Sequence, residues 1–196
     1  MTQQFGATIP LPAPETTGGK PLMEVLRSRC STRTFNDVAL SLQVLANLLW
    51  AAGGVSRADS GKRTAPSARD WREIDIYVVM KEGAYRYDAP SHSLHPVVSG
   101  DLRGQTGQQD FVATAPVNLV YVADQNRMVD VGPERQALYG ATDTGFVAQN
   151  VYLFCASAGL ATVVRGSVDT VALGAALKLG SQQRIILAQS VGYPGA

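Results

Sequence analysis

The stretch from Glu134 to Ala158 constrains this chain most, because Val147, Val151, Phe154 and Ala158 recur on one helical stripe until Gly159 supplies a stop. It predicts the longest helix, set at the centre of the fold. Strand-length runs flank it on both sides. Ile74, Ile76 and Val78 alternate with Asp75, Tyr77 and Val79, which predicts a strand with one face buried. Ala84 to Asp88 follows the Glu82-Gly83 turn as its hairpin partner. Val117 to Val122, introduced by Pro116, reads as a further strand, and so do Thr162 to Arg165 and Arg184 to Gly192, with a helix over about Val168 to Leu179 between them. Strands separated by long helices and joined partly by a hairpin predict a mixed sheet wrapped by helices in an α+β fold.

The remaining segments read as follows. Residues 1–20, rich in Thr, Gln, Pro and Gly, form an extended N-terminal arm, and residues 21–196 form one domain, for which 45% hydrophobic residues supply a single core. Leu22, Val25 and Leu26 predict a short helix ending near Arg29. Ser41 caps a second helix carrying Leu42, Leu45, Leu48, Leu49 and Ala52, stopped by Gly53-Gly54. Val55 to Asp70 is polar and basic and reads as a loop. Ser56, Gly61 and Lys62 approach a phosphate-loop motif, but Ser56 stands where its first glycine belongs and Arg63 where its closing hydroxyl belongs, so a nucleoside triphosphatase is rejected.

Composition removes several function classes. A formal charge of +1 without a Lys/Arg block gives no footprint for nucleic acid. No apolar run approaches the roughly eighteen residues of a membrane span, and no basic and apolar leader opens the chain. The default compartment is the cytoplasm, with export behind a trimmed leader as the alternative. The two cysteines, Cys30 and Cys155, make no disulfide framework. His92 and His95 stand three apart in a Pro-bounded stretch without a third ligand at matching spacing, and are expected as surface histidines in a loop; no metal site is expected.

Chemistry concentrates at Arg29-Cys30-Ser31-Thr32-Arg33-Thr34-Phe35. Two guanidiniums and two hydroxyl groups within five residues, at the end of a short helix, suit an anion, since arginine presents a planar fork of donors matching phosphate oxygens. Taken in order with Arg63-Thr64-Ala65-Pro66-Ser67-Ala68, Gly159-Leu160-Ala161-Thr162-Val163-Val164-Arg165-Gly166 and Val191-Gly192-Tyr193-Pro194, this stretch resembles the nitroreductase family of FMN-dependent oxidoreductases, and most of all its short branch containing azoline-oxidising enzymes.

The resemblance implies a dimer with a mixed, largely antiparallel sheet, FMN as cofactor, NAD(P)H as co-substrate, and a nitroaromatic, quinone or related electron-poor small molecule as oxidant. Oxidation of an azoline-type substrate and non-catalytic flavin binding are the alternatives. It implies that Arg29, Cys30 and Ser31 bind the cofactor, with Arg29 and Ser31 at its phosphate. Arg33 lies by N1 and the C2 carbonyl, and Val164, Arg165 and Gly166 line the N5 edge, where a backbone N–H is aimed. Arg33 and Gly166 are thus the catalytic candidates. Pro66, Ser67 and Ala68 match a loop reaching the cofactor from the other subunit, Ser67 as a hydrogen-bonding group. The sequence departs from the family where Gly then Asn is usual and Arg69 then Asp70 stand here, and a basic pair beyond the last strand is missing before the chain stops at Ala196; Lys62, Arg63 or Arg69 are the candidates to compensate.

Overall fold

The computed structural model describes residues 6–195. Four α-helices, α1 (Leu22–Ser28), α2 (Leu42–Gly53), α3 (Pro133–Ala158) and α4 (Thr170–Ala176), accompany nine strands: β1 (Ile9–Pro10), β2 (Val55–Arg57), β3 (Lys62–Arg63), β4 (Ile74–Met80), β5 (Gly83–Asp88), β6 (Ser93–Ser99), β7 (Val117–Asp124), β8 (Ala161–Arg165) and β9 (Gln183–Gly192). Seven of the strands make one sheet in the order β1-β6-β5-β4-β7-β9-β8. Every ladder in it is antiparallel, so among the described strands the expected mixed sheet is an antiparallel one.

The central helix forms as the sequence predicts. Gly159 ends it at φ 71, a left-handed conformation in which glycine meets no Cβ penalty, and its N–H returns to Cys155 O. Ser41 caps α2 by accepting from Val44 N. Helices α2 and α3 cover one face of the sheet, burying Leu45, Leu48, Leu49, Val147 and Val151 against Ile76, Val78, Leu119 and Tyr121. The other face is also buried: Tyr77, Val79, Val120 and Val122 pack with Leu173 and Leu177. This corrects the expectation of a β4 with one buried face. The apolar residues at both alternating positions reflect helices above and below, because α4 covers the face that alternation alone assigns to solvent.

Three further segments differ from expectation. His95 lies on β6, paired with Arg86, and His92 occupies the turn before it with Nδ1 2.9 Å from Tyr87 Oη. Both are half-buried rather than surface residues of a loop, because Leu94 and its neighbours extend the β4–β5 hairpin by one strand. The Val55–Asp70 segment contains the small β2–β3 hairpin instead of loop alone. Residues 9–10 of the N-terminal arm pair with Ser93 and Leu94, and Leu11 enters the core. Residues 1–5 of the arm lie outside the described residues. No helix among the described residues is long and apolar enough to cross a membrane.

Candidate functional site

The Arg29–Phe35 stretch leaves the end of α1 in extended conformation and is tied down on two sides. Thr32 N donates to Thr162 O on β8 at 2.9 Å, while Phe35 bridges to Pro194, beyond the end of β9. Tyr152 of α3, which the sequence reading did not single out, joins this stretch to the strand beside it. Its hydroxyl lies 2.8 Å from Ser31 Oγ and accepts from Val164 N at 2.9 Å. The Arg29 guanidinium stands over the same ring, 5.2 Å from its centroid, a cation–π arrangement. Cys30 is exposed, its Sγ 3.5 Å from Thr32 Oγ1. Arg33 is exposed. Among the described residues neither Arg29 nor Arg33 enters an ion pair, so two cations are available on this surface.

The surface continues to the end of β8. Phe35 packs against Phe111 with ring centroids 5.7 Å apart, and the Arg165 guanidinium stands 6.0 Å from the Phe111 ring centroid. Gly166 is exposed, and a Cβ built on it meets only Leu187 Cδ2 at 3.7 Å, an ordinary contact. Nothing in the folded chain itself demands glycine there. The Arg165 side chain, in contrast, turns neither to that surface nor to solvent: it is buried, and its guanidinium donates to Thr106 O at 2.7 Å and Asn118 Oδ1 at 2.9 Å. In β8 it projects beneath the surface on which Gly166 is exposed, because alternation along the strand sends its side chain inward.

Pro66, Ser67 and Ala68 belong to a second group. The Ser67 hydroxyl donates to Glu73 Oε2 at 2.9 Å and accepts from Arg72 N at 2.8 Å, and Ala68 N donates to Asp143 Oδ2 at 2.8 Å. With its proton directed to Glu73, the Ser67 hydroxyl shapes the loop. Glu73 and Asp143 are both buried, and burial, reinforced by the neighbouring Asp143 carboxyl, pushes Glu73 up to about 7. Arg69 and Asp70, the two departures from the family pattern, have φ of 50° and 57°, the left-handed region that glycine and asparagine adopt readily. Asp70 is gripped by the Arg72 fork at 2.8 and 2.7 Å, which holds its carboxyl below the usual range and offsets its charge. Of the expected compensating cations, Arg63 donates to Gly53 O and lines a cleft of about 190 Å³ with Ser67, Glu73, Arg127 and Asp143.

The two groups contact different parts of α3. Asp143 holds the loop and Tyr152 holds the Arg29–Arg33 stretch, and the intervening residues make about two and a half turns, or roughly 13 Å of rise. Half a turn left over places the two contacts on opposite faces of the helix. Among the described residues no cluster of three metal-ligating side chains occurs.

Comparisons with known proteins bear on this arrangement. The model of the nitroreductase family matches residues 26–193. MJ1384 of Methanocaldococcus jannaschii, a protein named as a nitroreductase, is 34% identical over 156 residues, covering 74% of this chain and 78% of its own. A crystal structure from Ralstonia eutropha, likewise named as a nitroreductase, superposes with a TM-score of 0.92 at 44% identity, covering 96% of this chain and 90% of that one. An NADPH:FMN oxidoreductase from Vibrio harveyi, solved with NAD+, shares the fold at a TM-score of 0.66 and 21% identity, over 89% of this chain and 69% of that one. The chain belongs to the nitroreductase family and is an oxidoreductase of the flavin-dependent kind.

Proposed function

We propose that this protein binds FMN and uses NAD(P)H to reduce a nitroaromatic, a quinone or a related electron-poor small molecule, working as a homodimer. One observation carries the reading: two guanidiniums free of ion pairs stand on a surface that Tyr152 and Phe35–Phe111 connect to Gly166, a glycine the chain's own packing does not require. That donor set fits a flavin phosphate, which needs cations and neutral donors together. The fold shared with the NADPH:FMN oxidoreductase agrees with it.

Bound FMN would supply the hydride chemistry, and the chain supplies position and electrostatics. Arg29, braced on the Tyr152 ring, and the Ser31 hydroxyl hold the phosphate. Arg33 faces the pyrimidine end and favours added negative charge there. Gly166 lets a flat ring approach the backbone without a side chain between them. Val164 N–H is committed to Tyr152, which fixes the height of the strand beneath that approach.

The placement of the two groups supports dimerisation. Pro66–Ala68 and Arg29–Arg33 are fixed to opposite faces of α3, so a two-fold apposition of chains is the arrangement that brings both to one cofactor. Exposed apolar side chains on α1 and α3, Leu22, Met23, Leu26, Leu138 and Phe146, provide a surface for it. The test is the purified protein itself. It should bind FMN with a flavin absorption band that NADPH or NADH bleaches without oxygen and that nitroaromatic or quinone restores. Protein that takes up no FMN, or bound FMN that neither nicotinamide reduces, contradicts the proposal.

A further inference from the structure

Arg165 is 5% exposed, yet among the described residues no carboxylate pairs with it. Its acceptors are neutral: Thr106 O at 2.7 Å, Thr106 Oγ1 at 3.4 Å and Asn118 Oδ1 at 2.9 Å, with Nε left without a partner. Asn118 is itself locked in place. Its amide donates to Val112 O at 2.8 Å and its oxygen also receives the Ser190 hydroxyl at 2.5 Å. Room for the guanidinium is kept by Gly107, where a Cβ would overlap Arg165 Nη1.

Burying a charge without a counter-charge is unfavourable, and a hydrophobic or neutral polar side chain would fill this space at lower cost. Burial pushes Arg165 down to about 10, which still leaves it charged at neutral pH. A cation fixed in the interior is screened far less than Arg33 at the surface, so its field reaches further. It belongs to the residue directly before Gly166 in the chain.

We infer that Arg165 sets the redox balance of the site: its buried, uncompensated charge stabilises the reduced, more negative form of a flavin lying over Gly166, without touching it. The inference rests on the FMN reading above. Arg165 is in this sense not a catalytic residue but one that acts through its field, and the Thr106–Asn118–Ser190 network exists to hold that charge in place.

The experiment uses the full chain and measures the dissociation constants of oxidised and dithionite-reduced FMN for wild type, Arg165→Met, Arg165→Lys and Asn118→Asp. The preference for reduced over oxidised FMN should fall at least tenfold in Arg165→Met, equivalent to a drop of about 30 mV for a two-electron couple. Arg165→Lys should retain most of it. Asn118→Asp keeps the oxygen that Arg165 and Ser190 use but adds a negative charge, so the preference should fall there too, although Arg165 remains. This second variant decides the matter if Arg165→Met fails to fold. A purely structural Arg165 predicts weaker binding of both forms with their ratio unchanged in Met and Asp variants alike, and that result overturns the inference. Wild-type protein that binds FMN in neither state overturns the FMN reading and this inference with it.

Discussion

The phenol of Tyr152 lies between Ser31, far from it in sequence, and Val164 on the strand that follows its helix, and contacts both with one oxygen. Tyr152→Phe keeps the ring under Arg29 but leaves Val164 N–H without its acceptor in a partly buried place. Loss of stability of about 1–3 kcal/mol is expected, measured by denaturant unfolding, with weaker FMN binding beside it. Arg29→Ala should leave the fold intact and weaken FMN binding by about 1.5–3 kcal/mol, roughly 10- to 150-fold, read by fluorescence titration. Wild-type affinity in that variant would remove Arg29 from the phosphate. Arg33→Ala should lower the midpoint potential of bound flavin, checked by spectroelectrochemistry; an unchanged or higher potential places Arg33 elsewhere. Arg29, Ser31 and Arg33 are legible in the sequence because they are near neighbours whose side chains share one chemistry. Tyr152 is not, since an aromatic on an apolar helix reads as core packing and its two hydroxyl partners are set by tertiary structure alone. The inward turn of Arg165 is equally hidden, because the side a strand residue takes depends on pairing register, and a charged residue at a strand end suits solvent as well as interior.

The loop from Pro66 to Arg72 is held by a buried carboxyl pair, Glu73 beside Asp143, and this gives the element a pH dependence. Glu73 titrates at about 7 in the folded chain against an ordinary value of 4.5. Between these values the folded state keeps a proton that the unfolded state has released, so stability falls as pH rises through that window and then levels off above it. Thermal melting from pH 4 to 8 should show this decline in wild type, and Glu73→Gln, which keeps an acceptor for Ser67 but cannot titrate, should flatten it. An identical slope in the variant would mean that another group is responsible. The elements themselves divide by how local their signals are. Helices α2 and α3 announce themselves through stripe, cap and glycine stop, all contained within a few turns. Strand β6 and the β2–β3 hairpin do not, because short strands with Pro96, His95 or charged residues gain their pairing from neighbours already in place. The left-handed backbone at Arg69 and Asp70 is a related case: residues that do not favour it adopt it, held by Arg72 on Asp70 and by Asp143 on Ala68.

For the molecule as a whole, the sheet with helices on both faces follows from the order of helical and strand patterns, while the second buried face of β4 required knowing that α4 folds back over it. How chains associate leaves a weaker trace. Of Leu22, Val25 and Leu26, which share helical spacing in the sequence, only Val25 is buried; Leu22, Met23 and Leu26 are exposed in the single chain, and with Leu138 and Phe146 they offer a surface to a partner. In the proposed dimer, two half-sites fixed to opposite faces of α3 meet across a two-fold axis. Subunit mixing tests this most directly. One chain carries Arg29→Ala; the other has Pro66, Ser67 and Ala68 replaced by glycine; neither homodimer should bind FMN well. A heterodimer puts both lesions into one site and leaves the other whole, so about one FMN per heterodimer and about half the activity of a wild-type dimer should return. No recovery of FMN or activity after verified exchange of subunits would show that each site is built within a single chain.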